Sequence, residues 1–126
     1  MHENEVARTI VDAAFTVHKR LGPGLLESVY DACLTLELTL RGLDVVRQKA
    51  IPVVYDTIRM NVGFRADLIV EELVVVEIKS IETLARVHKM QLLTYLRLTE
   101  KRLGLLINFN TELIRDGIRR VVNGLE

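Results

Sequence analysis

The chain has 126 residues, 49% hydrophobic and 27% charged, with 17 Lys plus Arg balanced by 17 Asp plus Glu. That length suits a single domain, residues 1–126, able to bury roughly two-thirds of its unfolded surface. Zero net charge argues against indiscriminate nucleic-acid binding, while leaving room for a local basic patch. No apolar run approaches the roughly 20 residues needed to cross a bilayer. The opening "MHENEVARTI" lacks the basic-then-apolar plan of a signal peptide, so a cytoplasmic protein is expected.

In chain order, Val6, Ile10, Ala13, Ala14, Val17 and Leu21 recur at helical spacing, and Gly22-Pro23-Gly24 ends that helix. A second helix is expected from about Leu25, with an apolar stripe of Leu26, Val29, Cys33, Leu36 and Leu40, closed by Gly42. The single cysteine, Cys33, falls in that stripe and reads as a small core residue rather than a reactive thiol. No CxxC or His-x-His spacing suggests zinc. β-Branched residues then dominate "VVRQKAIPVVY", where Pro52 points to an edge position or a bulge. A second strand is predicted over Ile58 to Val70 and a third over Leu73 to Ser80, joined by Glu71 and Glu72. Helical periodicity returns from about Thr83 to Leu98, and "LGLLINF" follows as a short buried strand. In the tail, Asp116-Gly117 fits either a hairpin turn or a break before a last short helix. The order is that of a mixed α/β fold.

Side chains alternate across a strand. On the third strand Val74, Val76 and Ile78 therefore look one way, and Leu73, Val75, Glu77 and Lys79 the other. A loop centred near Glu72 places Asp67 across from Glu77. Directly opposed residues of an antiparallel pair have Cβ atoms about 4.5–5.5 Å apart, where like charges repel. Two such carboxylates are stable mainly with a cation between them, and Mg²⁺ takes oxygen ligands of this kind together with water and phosphate. Lys79 alongside could orient a water or stabilise charge on a phosphate, which is chemistry for phosphodiester hydrolysis. The same residues are also what a strand end emerging into water would carry.

On the following helix Leu84, Val87, Tyr95 and Leu98 define the expected apolar face, with Gln91 in its middle. A buried amide needs a partner, and Gln91 and Tyr95, one turn apart, point the same way, so both could reach the acids. Glu27 opens the second helix. It is either a helix-start carboxylate favoured by the dipole or a further acid beside the metal. Tyr30, one turn on, fits the core.

Asp67, Glu77-Ile78-Lys79 and Gln91-x-x-x-Tyr95, in that order, resemble the PD-(D/E)XK nuclease superfamily, and the last pair resembles the QxxxY motif of its RecB-like and lambda-exonuclease-like branches. "GLLESVY", with Gly24, Glu27 and Tyr30, is similar to the signature of the bacterial GxxExxY family. Ala66 stands where the superfamily name has proline. The resemblance implies an αβββαβ core with a central mixed β-sheet flanked by helices, acting on DNA, with RNA left open. It further implies that Asp67, Glu77 and the Ile78 carbonyl bind Mg²⁺ or Mn²⁺, and that Glu27 completes the metal environment. Lys79 would position the attacking water, while Gln91 and Tyr95 would orient Lys79 or contact phosphate. His88 could touch the same site. Arg65, Arg86, Lys89, Arg97, Lys101 and Arg102 are candidates for gripping the backbone. A competing reading is a non-catalytic binding or oligomerisation module on the same fold, supported by the zero charge and the low aromatic content of 5%. A homodimer or a protein partner suits a chain this small under either reading.

Overall fold

The computed structural model describes residues 1–125. Helices α1 (Glu3–Leu21) and α2 (Glu27–Leu40) precede strands β1 (Val45–Tyr55), β2 (Ile58–Val70) and β3 (Val74–Lys79). Helix α3 (Arg86–Thr99), strand β4 (Leu103–Asn108), a 3-10 turn (Ile114–Gly117) and strand β5 (Ile118–Val122) complete the chain. The strands lie in sequence order in one sheet. β3 and β4 pair in parallel and the other neighbours are antiparallel. The fold is α/β with the expected αβββαβ core. In the tail, Asp116-Gly117 falls in the 3-10 turn, and the chain returns as β5 rather than as a helix. Its "IRRVV" segment pairs with β4, supplying ladder partners that a helix could not.

The two faces of the sheet are covered separately. Val74, Val76 and Ile78 of β3 pack with α1 and α2, whereas Val75 packs with Leu92 and Leu96 of α3. Coverage on both sides explains why all six residues of β4 are buried, and why β3 stays buried from Val74 to Ile78. No helix is long and apolar enough to cross a membrane among the described residues.

The buried face of α2 is Tyr30, Asp31, Leu34 and Leu38. Leu26, Val29, Leu36 and Leu40 of the expected stripe are exposed, and Cys33 only edges the core. Apolar residues ring this helix, so spacing alone could not select the inward face; a polar Asp occupies part of it. Tyr30 sits deep, its ring stacked on Phe109 with centroids 4.5 Å apart. Its hydroxyl donates to the Gly22 carbonyl (2.6 Å) and accepts from the Leu25 N–H (3.1 Å), fixing the turn that delivers Glu27.

β1 is an edge strand, and Pro52 lies in the register shift between Ile51 and Val53, where a missing N–H costs no ladder bond. Further in, Gly104 on β4 is the notch that seats α3. A Cβ there would stand 2.9–3.0 Å from three atoms of Leu92. Gly104→Ala is therefore expected to overpack this face and to cost about 1–3 kcal/mol, read as a lowered urea midpoint. An unchanged midpoint would mean that α3 is free to shift.

Candidate functional site

The β2–β3 ladder runs Val70↔Val74, Ile69↔Val75 and Leu68↔Val76 and stops there, just short of Asp67 and Glu77. Glu71 and Glu72 turn the hairpin with positive φ (53° and 56°), the hand of twist that a tight antiparallel connection needs. One residue more or fewer in that turn would move Glu77 off Asp67. At this position side chains replace the backbone ladder. The Asp67 N–H donates to Glu77 Oε1 (3.4 Å), and Asp67 Oδ2 accepts from the Ile78 N–H (2.8 Å).

Crowding two acids in a buried place has a price in protonation. Burial, then the Asp67 charge, pushes the Glu77 carboxyl up to about 9, with Lys79 only partly opposing them. Glu77 thus keeps its proton at neutral pH. Tyr95 is near enough to feel both acids. Burial first, then Glu77 and Asp67, raises its hydroxyl above the ordinary value, so it remains a hydrogen-bond donor. Its ring stacks on Phe64 of β2 at a centroid distance of 3.9 Å.

Lys79 and Gln91 meet in an open hollow that Val87, His88, Met90 and Thr94 also line. Gln91 is exposed, not in the middle of the apolar face. α3 buries Leu92 and Leu96, with Leu93 and Tyr95 beside them, while Val87 and Leu98 point to water. The inward face is thus rotated by about one residue from the expected stripe. Gln91 accordingly faces Lys79 with its amide free for a ligand, whereas Tyr95 approaches the acids. His88 shares the hollow, but its Nδ1 accepts from the Ala85 N–H (2.9 Å) at the start of α3.

Glu27 lies on the other side of Asp67. With Ser28, Asp31, Gln48, Asp67 and Ile78 it lines a small cleft of about 170 Å³. Asp67 and Ile78 join this cleft, Lys79 joins the hollow, and Glu77 is buried beside both, lining neither.

A family model described as the PD-(D/E)XK nuclease superfamily matches residues 4–121, from the first turn of α1 into β5. The chain belongs to the PD-(D/E)XK nuclease superfamily. No curated protein and no solved structure gives a significant match to it.

A superfamily of nucleases raises the question of a divalent ion, and the donor set can be tested for it. Among the described residues no group of three or more His, Cys, Asp or Glu side chains is arranged to hold a metal. Two carboxylates and a main-chain carbonyl with water filling the remaining positions is, however, a common way to bind Mg²⁺. The residues fit a water-rich, all-oxygen site for a hard cation.

Three residues beside these candidate side chains of the PD-(D/E)XK chain escaped the sequence reading. Asp31 follows Glu27 by four residues on one helix face, a spacing that could have flagged it. Gln48 interrupts a β-branched run. Asn108, buried at the end of β4, accepts from the Ile81 and Asn110 N–H groups (3.1 and 3.2 Å) and donates to the Ile81 carbonyl (2.9 Å), pinning the segment that leaves Lys79. Of the basic residues considered for backbone contact, Arg65, Arg86, Lys89 and Arg97 are exposed. Arg102 is committed elsewhere, bonding Glu3 through Nε (2.8 Å) and Nη2 (3.0 Å).

Proposed function

We propose that the chain, as one domain, is a metal-dependent nuclease that hydrolyses DNA phosphodiester bonds in the cytoplasm, within the GxxExxY, RecB-like part of the superfamily. The observation that carries this reading is the contact of half-buried Asp67 with buried Glu77 and the Ile78 N–H, with Lys79 and Tyr95 beside them. Asp67, Glu77 and the Ile78 carbonyl would hold Mg²⁺ or Mn²⁺, with Glu27 contributing through water from across the cleft. When bound, such an ion supplies Lewis acidity toward a phosphoryl oxygen and lowers the pKa of water.

The remaining steps belong to the chain itself. Lys79 reaches into the hollow and forms no ion pair among the described residues, so its ammonium is available to orient a water or to stabilise charge growing on phosphate. Gln91, exposed one turn from Tyr95, donates to a phosphate oxygen or to the group that Lys79 holds. Tyr95 donates its hydroxyl proton to an oxygen beside the acids and helps to exclude water from them.

The test is cleavage of supercoiled and linear DNA, and of single-stranded DNA and RNA, with Mg²⁺ or Mn²⁺ and with a chelator. The expected result is cleavage that requires metal and disappears in Asp67→Ala. Equal cleavage by wild type and Asp67→Ala would identify a contaminant. The zero net charge and the aromatic content of only 5% favour a second reading, a binding or oligomerisation module on the nuclease fold. Wild-type protein that neither cleaves any of these substrates nor binds Mn²⁺ at millimolar concentration would establish it.

A further inference from the structure

Gln48 holds an unusual place in β1. The β1–β2 ladder pairs Arg47 with Leu68 and Lys49 with Ala66 but skips Gln48 and Asp67. Gln48 has φ 47°, a left-handed conformation that side chains other than Gly, Asn and Asp seldom adopt. Such strain within a strand persists only where the surroundings hold it, and it clusters at working sites. Here the surroundings are two carboxylates. Gln48 Nε2 donates to Asp31 Oδ2 (3.1 Å) and to Asp67 Oδ1 (3.4 Å).

Asp31 is itself an anchor rather than an open ligand. It is 4% exposed, and its Oδ1 takes both Arg47 Nε (2.7 Å) and Arg47 Nη2 (2.6 Å). Arg47 therefore answers the Asp31 charge and leaves Oδ2 for the amide. The other oxygen of Asp67, Oδ2, is already held by the Ile78 N–H at 2.8 Å. The carboxylate of Asp67 is thus gripped from β3 through one oxygen and from β1 through the other.

We propose that Gln48 is a positioning residue, an uncharged clamp that ties Asp67 to the Arg47-anchored Asp31 and so fixes the direction in which Asp67 presents its charge to a cation. The inference rests on the metal-dependent reading above. An amide is the side chain suited to this task. Its two N–H groups can serve two carboxylates at once, and it adds no charge. A Lys or Arg here would neutralise Asp67 and compete with the metal; a Glu would repel both acids. Outer contacts that orient a metal ligand are commonly worth 10- to 100-fold in affinity.

Strain makes the test selective. Glycine adopts positive φ without cost, so Gln48→Gly removes the clamp while relieving the backbone. Gln48 is exposed, so little packing is lost. The variant is expected to unfold at or above the wild-type urea midpoint, yet to bind Mn²⁺ about 10-fold or more weakly by calorimetric titration. Gln48→Asn, which keeps an amide and tolerates the left-handed region, should recover part of that loss. Cleavage at saturating Mn²⁺ should fall less than cleavage at low Mn²⁺, because the defect is in holding the ion. Wild-type affinity in Gln48→Gly would overturn the role of Gln48 alone. Failure of the wild type to bind Mn²⁺ would overturn this role and the nuclease reading together.

Discussion

Alanine in place of Lys79 is expected to slow phosphodiester cleavage by about 10²–10³-fold, the usual cost of removing one donor aimed at transition-state charge. The fold should survive. Lys79 ends β3 with its side chain in an open hollow, and no hydrogen bond or ion pair of its side chain is formed among the described residues. Its structural hold is the main chain, where its carbonyl accepts from the Phe109 N–H (3.0 Å). Lys79→Arg provides the finer comparison. It keeps the charge but replaces a compact ammonium by a planar fork, so partial activity is expected if geometry matters beyond charge. The measurement is the single-turnover rate at saturating Mn²⁺, beside the urea midpoint of each variant. An unchanged Lys79→Ala rate would remove Lys79 from the mechanism, and a collapsed midpoint would recast it as a structural residue.

Much of this architecture was readable because strands and turns leave simple marks. Alternation separated Val74, Val76 and Ile78 from Val75, and these pack on the faces expected; Leu73, expected beside Val75, packs with Val74, Val76 and Ile78 instead, because it lies in the turn before β3 where alternation does not hold. The nearness of Asp67 and Glu77 followed from counting residues across the Glu71-Glu72 turn, although the ladder itself stops one pair earlier. Helix faces were harder to read. α2 carries leucines on two opposite faces, and the one it buries has Leu34 and Leu38 with Tyr30 and Asp31, while Leu36 and Leu40 are exposed. On α3 an error of about one residue in phase was enough to move Gln91 from the core to the rim. Periodicity reports a repeat well but its phase poorly when apolar residues are plentiful.

The least legible features are those made by the chain doubling back. Asp31 and Gln48 are 17 residues apart and meet only because β1 bends at Gln48 into a left-handed conformation. No local pattern announces that bend, since glutamine is not the residue chosen for it by preference. The bond from Ser80 Oγ to the Leu25 carbonyl (2.6 Å) spans 55 positions and ties the end of β3 to the turn before Glu27. Candidate chemistry could be located from spacing, but the supports that aim it required the fold.

The second large effect is a dependence of stability on pH. Glu77 has an ordinary value of 4.5 and stands at about 9 in the folded protein. Below the unfolded value both states hold the proton, and the folded state pays nothing. Between about 4.5 and 9 the unfolded chain releases that proton while the folded one retains it, so unfolding becomes easier as pH rises. Metal-free protein should therefore lose stability from pH 5 to pH 9, on the order of 1 kcal/mol per pH unit where the full effect is felt. Glu77→Gln should flatten this slope and be the more stable protein at pH 8. Glu3 does not obscure the window. The Arg102 hydrogen bond holds its carboxyl below the ordinary value, so its contribution is lost toward acid pH. Metal should reverse the trend. A divalent ion held by Asp67 and Glu77 would take the place of the Glu77 proton, so its affinity should rise with pH and binding near pH 7 should release about one proton per ion. Calorimetry in buffers of different ionisation enthalpy counts that proton directly. Tight Mn²⁺ binding without proton release, and unchanged in Glu77→Gln, would place the ion away from Glu77 and leave the acid pair without its proposed purpose.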